Sequence, residues 1–87
     1  MSYVYVLVEE ASRNVYIGFS ADLKKRIRQH TGGWGAQTTR HGTWHLVYYE
    51  AYADEGDARR RELRLKHDGR ARRQLYTRIQ SSLAGQK

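Results

Sequence analysis

Glu62 lies in the run Ala58-Arg-Arg-Arg-Glu-Leu-Arg-Leu-Lys66, four residues after Ala58 and three before Leu65. A helix places these three on one stripe. A carboxylate on an inward stripe needs a partner, because burying an unpaired charge is costly. One of the many nearby arginines would make it a structural ion pair, whereas a metal or a reacting group would make it functional. Arg26 and His30 stand four apart, bracketed on the core-facing side by Leu23 and Ile27. As structure, they are a solvated arginine and a helix-terminal histidine favoured by the helix dipole. As chemistry, they are a phosphate clamp beside a proton-transfer or hydrogen-bonding group. Tyr5 and Tyr16 are equally two-sided. Strand tyrosines most often pack with a polar tip. A phenol acts as a general base only if its free pKa of about 10 is lowered by positive charge, such as Arg26 or a bound metal.

The elements that would position these groups are legible in the pattern. Tyr3 to Val8 and Val15 to Phe19 are rich in β-branched and aromatic residues and read as strands. The short polar link from Glu9 to Asn14 makes them an antiparallel hairpin. Pairing Val8 with Val15 puts Val4, Val6 and Val8 on one apolar face with Val15, Ile17 and Phe19. The other face then carries Tyr3, Tyr5 and Leu7 with Tyr16, Gly18 and Ser20, so that Tyr5 and Tyr16 are near neighbours and Gly18 leaves space beside them. Ser20 is a candidate N-cap, with Asp22 adding negative charge in the first turn of a helix that Gly32-Gly33 ends. Trp44 to Tyr52 reads as a third strand. Asp54 or Asp57 starts a helix running to about Lys66, Asp68-Gly69 breaks it, and Arg70 to Leu83 forms a last helix. The expected fold is a small α+β domain spanning residues 3–83, with a three-stranded antiparallel sheet flanked by helices in the order β-β-α-β-α-α.

Composition narrows the class of function. The 87 residues suffice for one modest core, and 39% hydrophobic with 29% charged residues is a globular balance. There is no cysteine, which excludes disulfides and cysteine-based zinc sites. No apolar run approaches a membrane span, and the first residues lack a signal peptide's features, so a cytoplasmic location is expected. Sixteen Lys and Arg stand against nine Asp and Glu, a net charge of +7 that points to a polyanionic partner. Eight of the sixteen lie between Arg59 and Arg73. As a phosphate-contacting surface, they suit a duplex or branched nucleic acid. Arg40, Arg59, Lys66, Arg70 and Arg73 are the candidate nucleic-acid contacts. Trp34 and Trp44 are expected to pack.

Together, Y-V-Y at Tyr3 to Tyr5, Y-I-G at Tyr16 to Gly18, the Arg26 and His30 helix and the late helical Glu62 resemble the GIY-YIG nuclease superfamily. The likeness extends from Tyr3 to about Leu75 and is strongest to short, single-domain bacterial members. These share the Y-V-Y-V-L opening, the D-L-K-K-R-I-R-Q-H helix and the R-R-E-L-R-L-K segment. The resemblance implies a metal-dependent endonuclease that hydrolyses phosphodiester bonds in DNA, with roles in repair, recombination or defence. By the same resemblance, Tyr5 helps deprotonate the attacking water. Tyr16 hydrogen-bonds around the scissile phosphate, and Arg26 holds it. His30 lies where members place a histidine or a tyrosine. Glu62 is the single protein ligand to one magnesium or manganese ion. A hard ion on a lone carboxylate keeps several waters, takes its other ligands from phosphate and stabilises a leaving oxygen.

The chain departs from the family pattern at three points. Tyr3 replaces the family glycine, Phe19 and Ser20 stand where some relatives carry a lysine, and the asparagine that others place after the metal glutamate has no match. The alternative function is a nucleic-acid-binding module that kept the fold and lost turnover; an inward carboxylate on Glu62 favours the enzyme. A third reading is a subunit whose basic face docks an acidic protein.

Overall fold

The structure is a computed structural model that describes residues 1–31 and 42–84, with the side chains of residues 29–31 outside that description. The chain runs through β1 (Ser2–Glu9), β2 (Val15–Ser20), α1 (Leu23–Thr31), β3 (Trp44–Tyr52), α2 (Glu55–His67), α3 (Gly69–Arg78) and α4 (Gln80–Ala84). The three strands form one antiparallel sheet in the order β2-β1-β3. The α+β class and the hairpin register are as the sequence predicts: Val8 faces Val15, Val6 faces Ile17, Val4 faces Phe19 and Tyr5 faces Gly18.

Each sheet face has its own apolar cluster, because strand side chains alternate. Val4, Val6 and Ile17 meet Ala58 and Leu65 of α2 and Ala71 and Leu75 of α3. Tyr5, Leu7 and Trp44 meet Tyr16 together with Leu23 and Ile27 of α1. The helices therefore cover both faces, α1 on one side and α2 with α3 on the other. Val4, Val6, Leu7 and Leu65 are fully buried, and each contributes about 1.5–3 kcal/mol of transfer free energy.

β3 carries a bulge that alternation along the sequence does not reveal. Val6 pairs with Tyr48 and Leu7 with Leu46, so Val47 is the extra residue. The bulge switches the side-chain phase. Trp44 and Leu46 face α1, whereas Tyr48 and Tyr52 face α2 and α3.

Two helix boundaries differ from expectation. Asp22 rather than Ser20 caps α1, its Oδ1 accepting from the Lys25 N–H at 3.1 Å. Ser20 instead closes the turn before it, its Oγ accepting from the Asp22 N–H at 3.0 Å. The expected last helix is also two helices, because Ile79 leaves helical geometry at φ −108° and ψ 28°. That break buries Ile79 and brings Leu83 onto the α2–α3 side of the core. Asp54 caps α2 by accepting from the Asp57 N–H. Asp68 ends α2 and caps α3, accepting from the N–H groups of Arg70 and Ala71.

Candidate active site

Tyr5 is in the central strand and Gly18 faces it from β2, an edge strand. The Tyr5 phenol lies over the glycine: a Cβ at Gly18 would stand 2.5 Å from both Cζ and the hydroxyl oxygen. Any larger residue at position 18 would therefore displace the ring. The Tyr5 and Tyr16 rings lie on the same face with centroids 6.2 Å apart, and Trp44 meets Tyr16 edge-on at 6.3 Å. Trp44 is thus a packing residue beneath the pair, and it is buried. Trp34 lies outside the described residues.

Three neighbours, Tyr16, Arg26 and Glu62, act electrostatically on the Tyr5 hydroxyl. Its pKa is driven well above that of a free phenol, first by burial and then by the adjacent Tyr16. The positive charge of Arg26 opposes the rise; a hydrogen bond with Tyr16 and the negative charge of Glu62 add to it. A hydrogen bond that raises a phenol's pKa favours its protonated form. Tyr5 is accordingly a neutral hydroxyl at physiological pH.

Arg26 is half-buried on α1, which covers the Tyr5 face, whereas the Glu62 charge acts from α2, which packs on the opposite face of the sheet. The Glu62 side chain is 16% exposed, between the buried Ala58 and Leu65, as an inward stripe requires. The Lys66 ammonium stands 2.9 Å from its Oε2. The partner of Glu62 is therefore a lysine one turn along rather than an arginine. That contact also tests the fit to a metal: a Glu62 oxygen already accepts a cation. Among the described residues, no group of three or more His, Asp or Glu could enclose an ion. The donor set suits a hard cation that keeps most of its waters.

The other predicted residues fall into distinct groups. The His30 side chain and Arg40 lie outside the described residues. Arg59 is committed structurally, its guanidinium 4.3 Å from the Phe19 ring centroid and its Nε 2.9 Å from Glu55. Lys66 is held by Glu62. Arg70 and Arg73 are exposed and make no ion pair among the described residues. The basic run is thus largely partnered, with Arg60 on Asp57, Arg61 on Glu50 and Arg64 on Asp68.

Sequence reasoning missed two features. Lys24, Lys25 and Arg28 form an exposed basic face on α1, and the K-K-R-I-R run was the available signal. Lys25 and Arg26 line a recess of about 270 Å3 with Ser20, Ala21 and Asp22. The second is a network around Glu50. Its carboxylate accepts from Arg61 at 2.9 Å, from the Tyr48 hydroxyl at 2.6 Å and from the Tyr52 hydroxyl. Burial alone would raise the Glu50 pKa, but these bonds outweigh it and hold it below the usual carboxylate range. The network ties α2 to β3 at Arg61, the residue next to Glu62. A lone glutamate in a tyrosine-rich strand was its only trace in the sequence.

The sequence model of the GIY-YIG catalytic domain matches residues 1–77. The chain belongs to the GIY-YIG family. A UPF0213 protein of Lacticaseibacillus paracasei is 37% identical over 75 residues, which cover 85% of this chain and 83% of that protein. Another from Halobacterium salinarum is 35% identical over 75 residues, covering 85% and 96%. The solution NMR structure of a UPF0213 protein from Bacillus halodurans is similar at a TM-score of 0.55 and 36% identity, over 88% of this chain and 84% of that one. GIY-YIG is a nuclease family, which makes phosphodiester hydrolysis the reaction class and nucleic acid the substrate. Its nucleases generally use a divalent metal. The two GIY-YIG triplets have a spatial logic here: Tyr5 of the first lies on Gly18 of the second. Among the described residues, no helix is long and apolar enough to cross a membrane.

Proposed function

We propose that the chain is a metal-dependent endonuclease acting on DNA, with residues 3–83 as one catalytic domain and Tyr5, Tyr16, Arg26, His30 and Glu62 as its site. The observation that carries this reading is the Tyr5–Tyr16 pair packed over Gly18, with the Arg26 and Glu62 charges acting on the Tyr5 hydroxyl. A structural tyrosine needs neither a cation nor a carboxylate acting on its hydroxyl.

In this reading, Arg26 holds the scissile phosphate and stabilises charge that grows on its oxygens in the transition state. Tyr16 and Tyr5 orient the phosphate and the attacking water through their hydroxyls. Tyr5 starts protonated, so it must lose its proton, toward Tyr16 and solvent, before it can accept one from water. Glu62 would hold the magnesium or manganese ion, which when bound supplies Lewis acidity at the phosphate and the leaving oxygen. Lys66 neutralises the Glu62 carboxylate before that ion arrives. His30 contributes hydrogen bonding at the far end of α1, and Arg40, Arg70 and Arg73 contact flanking phosphates. A cytoplasmic setting and work in repair, recombination or defence suit a small basic nuclease.

The test is single-turnover cleavage of labelled single-stranded, duplex, flap and branched DNA with magnesium, manganese or EDTA. We expect cleavage with either metal and none with EDTA. Arg26→Ala should lower the cleavage rate more than it lowers affinity. Binding without cleavage under every metal condition would leave the chain a nucleic-acid-binding module.

A further inference from the structure

On the α1 side of the sheet, an open groove of about 760 Å3 runs between α1 and β3. Tyr3, Leu46, Tyr49 and Ile27 give it an aromatic and apolar lining, and Lys24 and Arg28 stand on its α1 side. Tyr49 pairs with Tyr5 in register, yet Tyr5 is 1% exposed and Tyr49 is 53% exposed. Tyr3 meets Tyr49 edge-on, with centroids 6.0 Å apart. Neither Lys24 nor Arg28 takes part in an ion pair among the described residues.

This groove continues the candidate active site. Ala21 and Asp22 line both it and the recess that holds Arg26. From Gly18 in β2 to Tyr49 in β3 is two strand spacings, about 10 Å, with β1 between them. A strand with one phosphate at Arg26 therefore brings its neighbouring nucleotide to the groove. An exposed aromatic ring beside two cations matches a base with its flanking phosphate, since every base offers a π face and every linkage a negative charge. A fully paired duplex keeps its bases stacked on one another and offers none to Tyr49 without unstacking.

We propose that this groove is a base-stacking subsite, taking an unpaired nucleobase of the cleaved strand onto Tyr49 while Lys24 and Arg28 hold the adjoining phosphate. The inference rests on the nuclease reading and gives it a substrate class: DNA with at least one unpaired nucleotide beside the cut.

The test measures binding in EDTA, so that nothing is cut. The probes are a short single strand, a duplex with one bulged 2-aminopurine, and the same duplex fully paired. Wild-type protein should quench the bulged 2-aminopurine and prefer the two unpaired probes. Tyr49→Ala should lose about tenfold or more in affinity for those probes, and a smaller factor on the paired duplex. Tyr49→Phe should keep the preference. Half-exposure of Tyr49 makes the variants foldable, and melting curves check this. Equal losses on all three probes, absence of quenching, or a dimer that Tyr49→Ala dissociates would overturn the subsite; the last would assign the groove to a second copy. Stacking through Tyr49 by a protein that cuts nothing would refute the nuclease reading and leave the subsite standing. Cleavage of paired and bulged DNA alike, unaffected by Tyr49→Ala, would refute the subsite alone.

Discussion

Gly18→Ala probes the packing on which the site depends. The added Cβ would sit 2.5 Å from Cζ and the hydroxyl oxygen of Tyr5 and 2.9 Å from Cε1. Relaxing 2.5 Å to the 3.4 Å of ordinary contact moves the ring by about 0.9 Å. Tyr5 is 1% exposed and sits in a cluster with Leu7 and Trp44, so the movement is resisted. Overpacking of this kind costs about 1–3 kcal/mol, and removing glycine's freedom in the unfolded chain offsets about 0.4–1 kcal/mol. The expected net loss is about 1–2 kcal/mol, or roughly 5–15 °C in Tm for a domain of this size. A displacement near 1 Å at a reacting group lowers the rate on the order of 100-fold. Thermal denaturation by circular dichroism reads the first effect, and single-turnover cleavage well below both melting points reads the second. In a Tyr5→Leu background the ring is gone, and Gly18→Ala should then be neutral or slightly stabilising, a coupling of about 1–3 kcal/mol. If Gly18→Ala alone melts and cuts like the wild type, the Tyr5 phenol does not lie over Gly18 and the site geometry is wrong.

The remaining predictions concern charge. Glu50 titrates below its unfolded value, so its contribution to stability is complete above about pH 4.3 and is lost as the pH falls through the folded pKa. Glu50→Gln should therefore lower stability at neutral pH by about 1–3 kcal/mol and flatten the acid limb of Tm against pH; an unchanged limb would remove Glu50 from the acid transition. The raised pKa of Tyr5 makes its deprotonated form scarce at neutral pH. Cleavage that uses it should rise with pH above about 7, and Tyr5→Phe should lose that rise; identical pH-rate profiles would exclude Tyr5 as the titrating group. In anisotropy titrations, Arg70→Ala or Arg73→Ala should each reduce the slope of log affinity against log salt by about 0.9. Arg60→Ala should reduce it less, because Asp57 already pairs with Arg60; equal reductions would contradict this ranking.

The hairpin register was readable because a one-residue slip would part Val4, Val6 and Val8 from the apolar face of Val15, Ile17 and Phe19, and the short link selects Val8 against Val15. The same register brings Tyr5 to Gly18, and helical spacing puts Glu62 between Ala58 and Leu65. Features that depend on contacts between distant segments were hidden. The bulge at Val47 reverses the alternation of β3, and nothing in W-H-L-V-Y-Y-E-A-Y marks where the phase changes. Ile79 ends α3 because its side chain and that of Leu83 both seek the core, while the local propensity there is helical. The ion pairs within the basic run from Arg59 to Arg73 were hidden as well, because charge counts are blind to pairing. Glu50, Glu55, Asp57, Glu62 and Asp68 take up five of its members. The preference of Asp22 over Ser20 as the α1 cap follows from one local hydrogen bond between the two residues, which spacing alone does not rank.

The most direct test of the central claim is single-turnover cleavage by Glu62→Gln with magnesium or manganese, beside its melting curve and its DNA affinity. Gln keeps the size of the side chain between Ala58 and Leu65 and removes the charge that a metal would bind. If Glu62 is the metal ligand, cleavage falls to background while the protein stays folded, and DNA binding persists or tightens as a negative charge near phosphate is lost. Metal-dependent cleavage at the wild-type rate by folded Glu62→Gln would contradict the account and leave Glu62 only the ion-pair partner of Lys66.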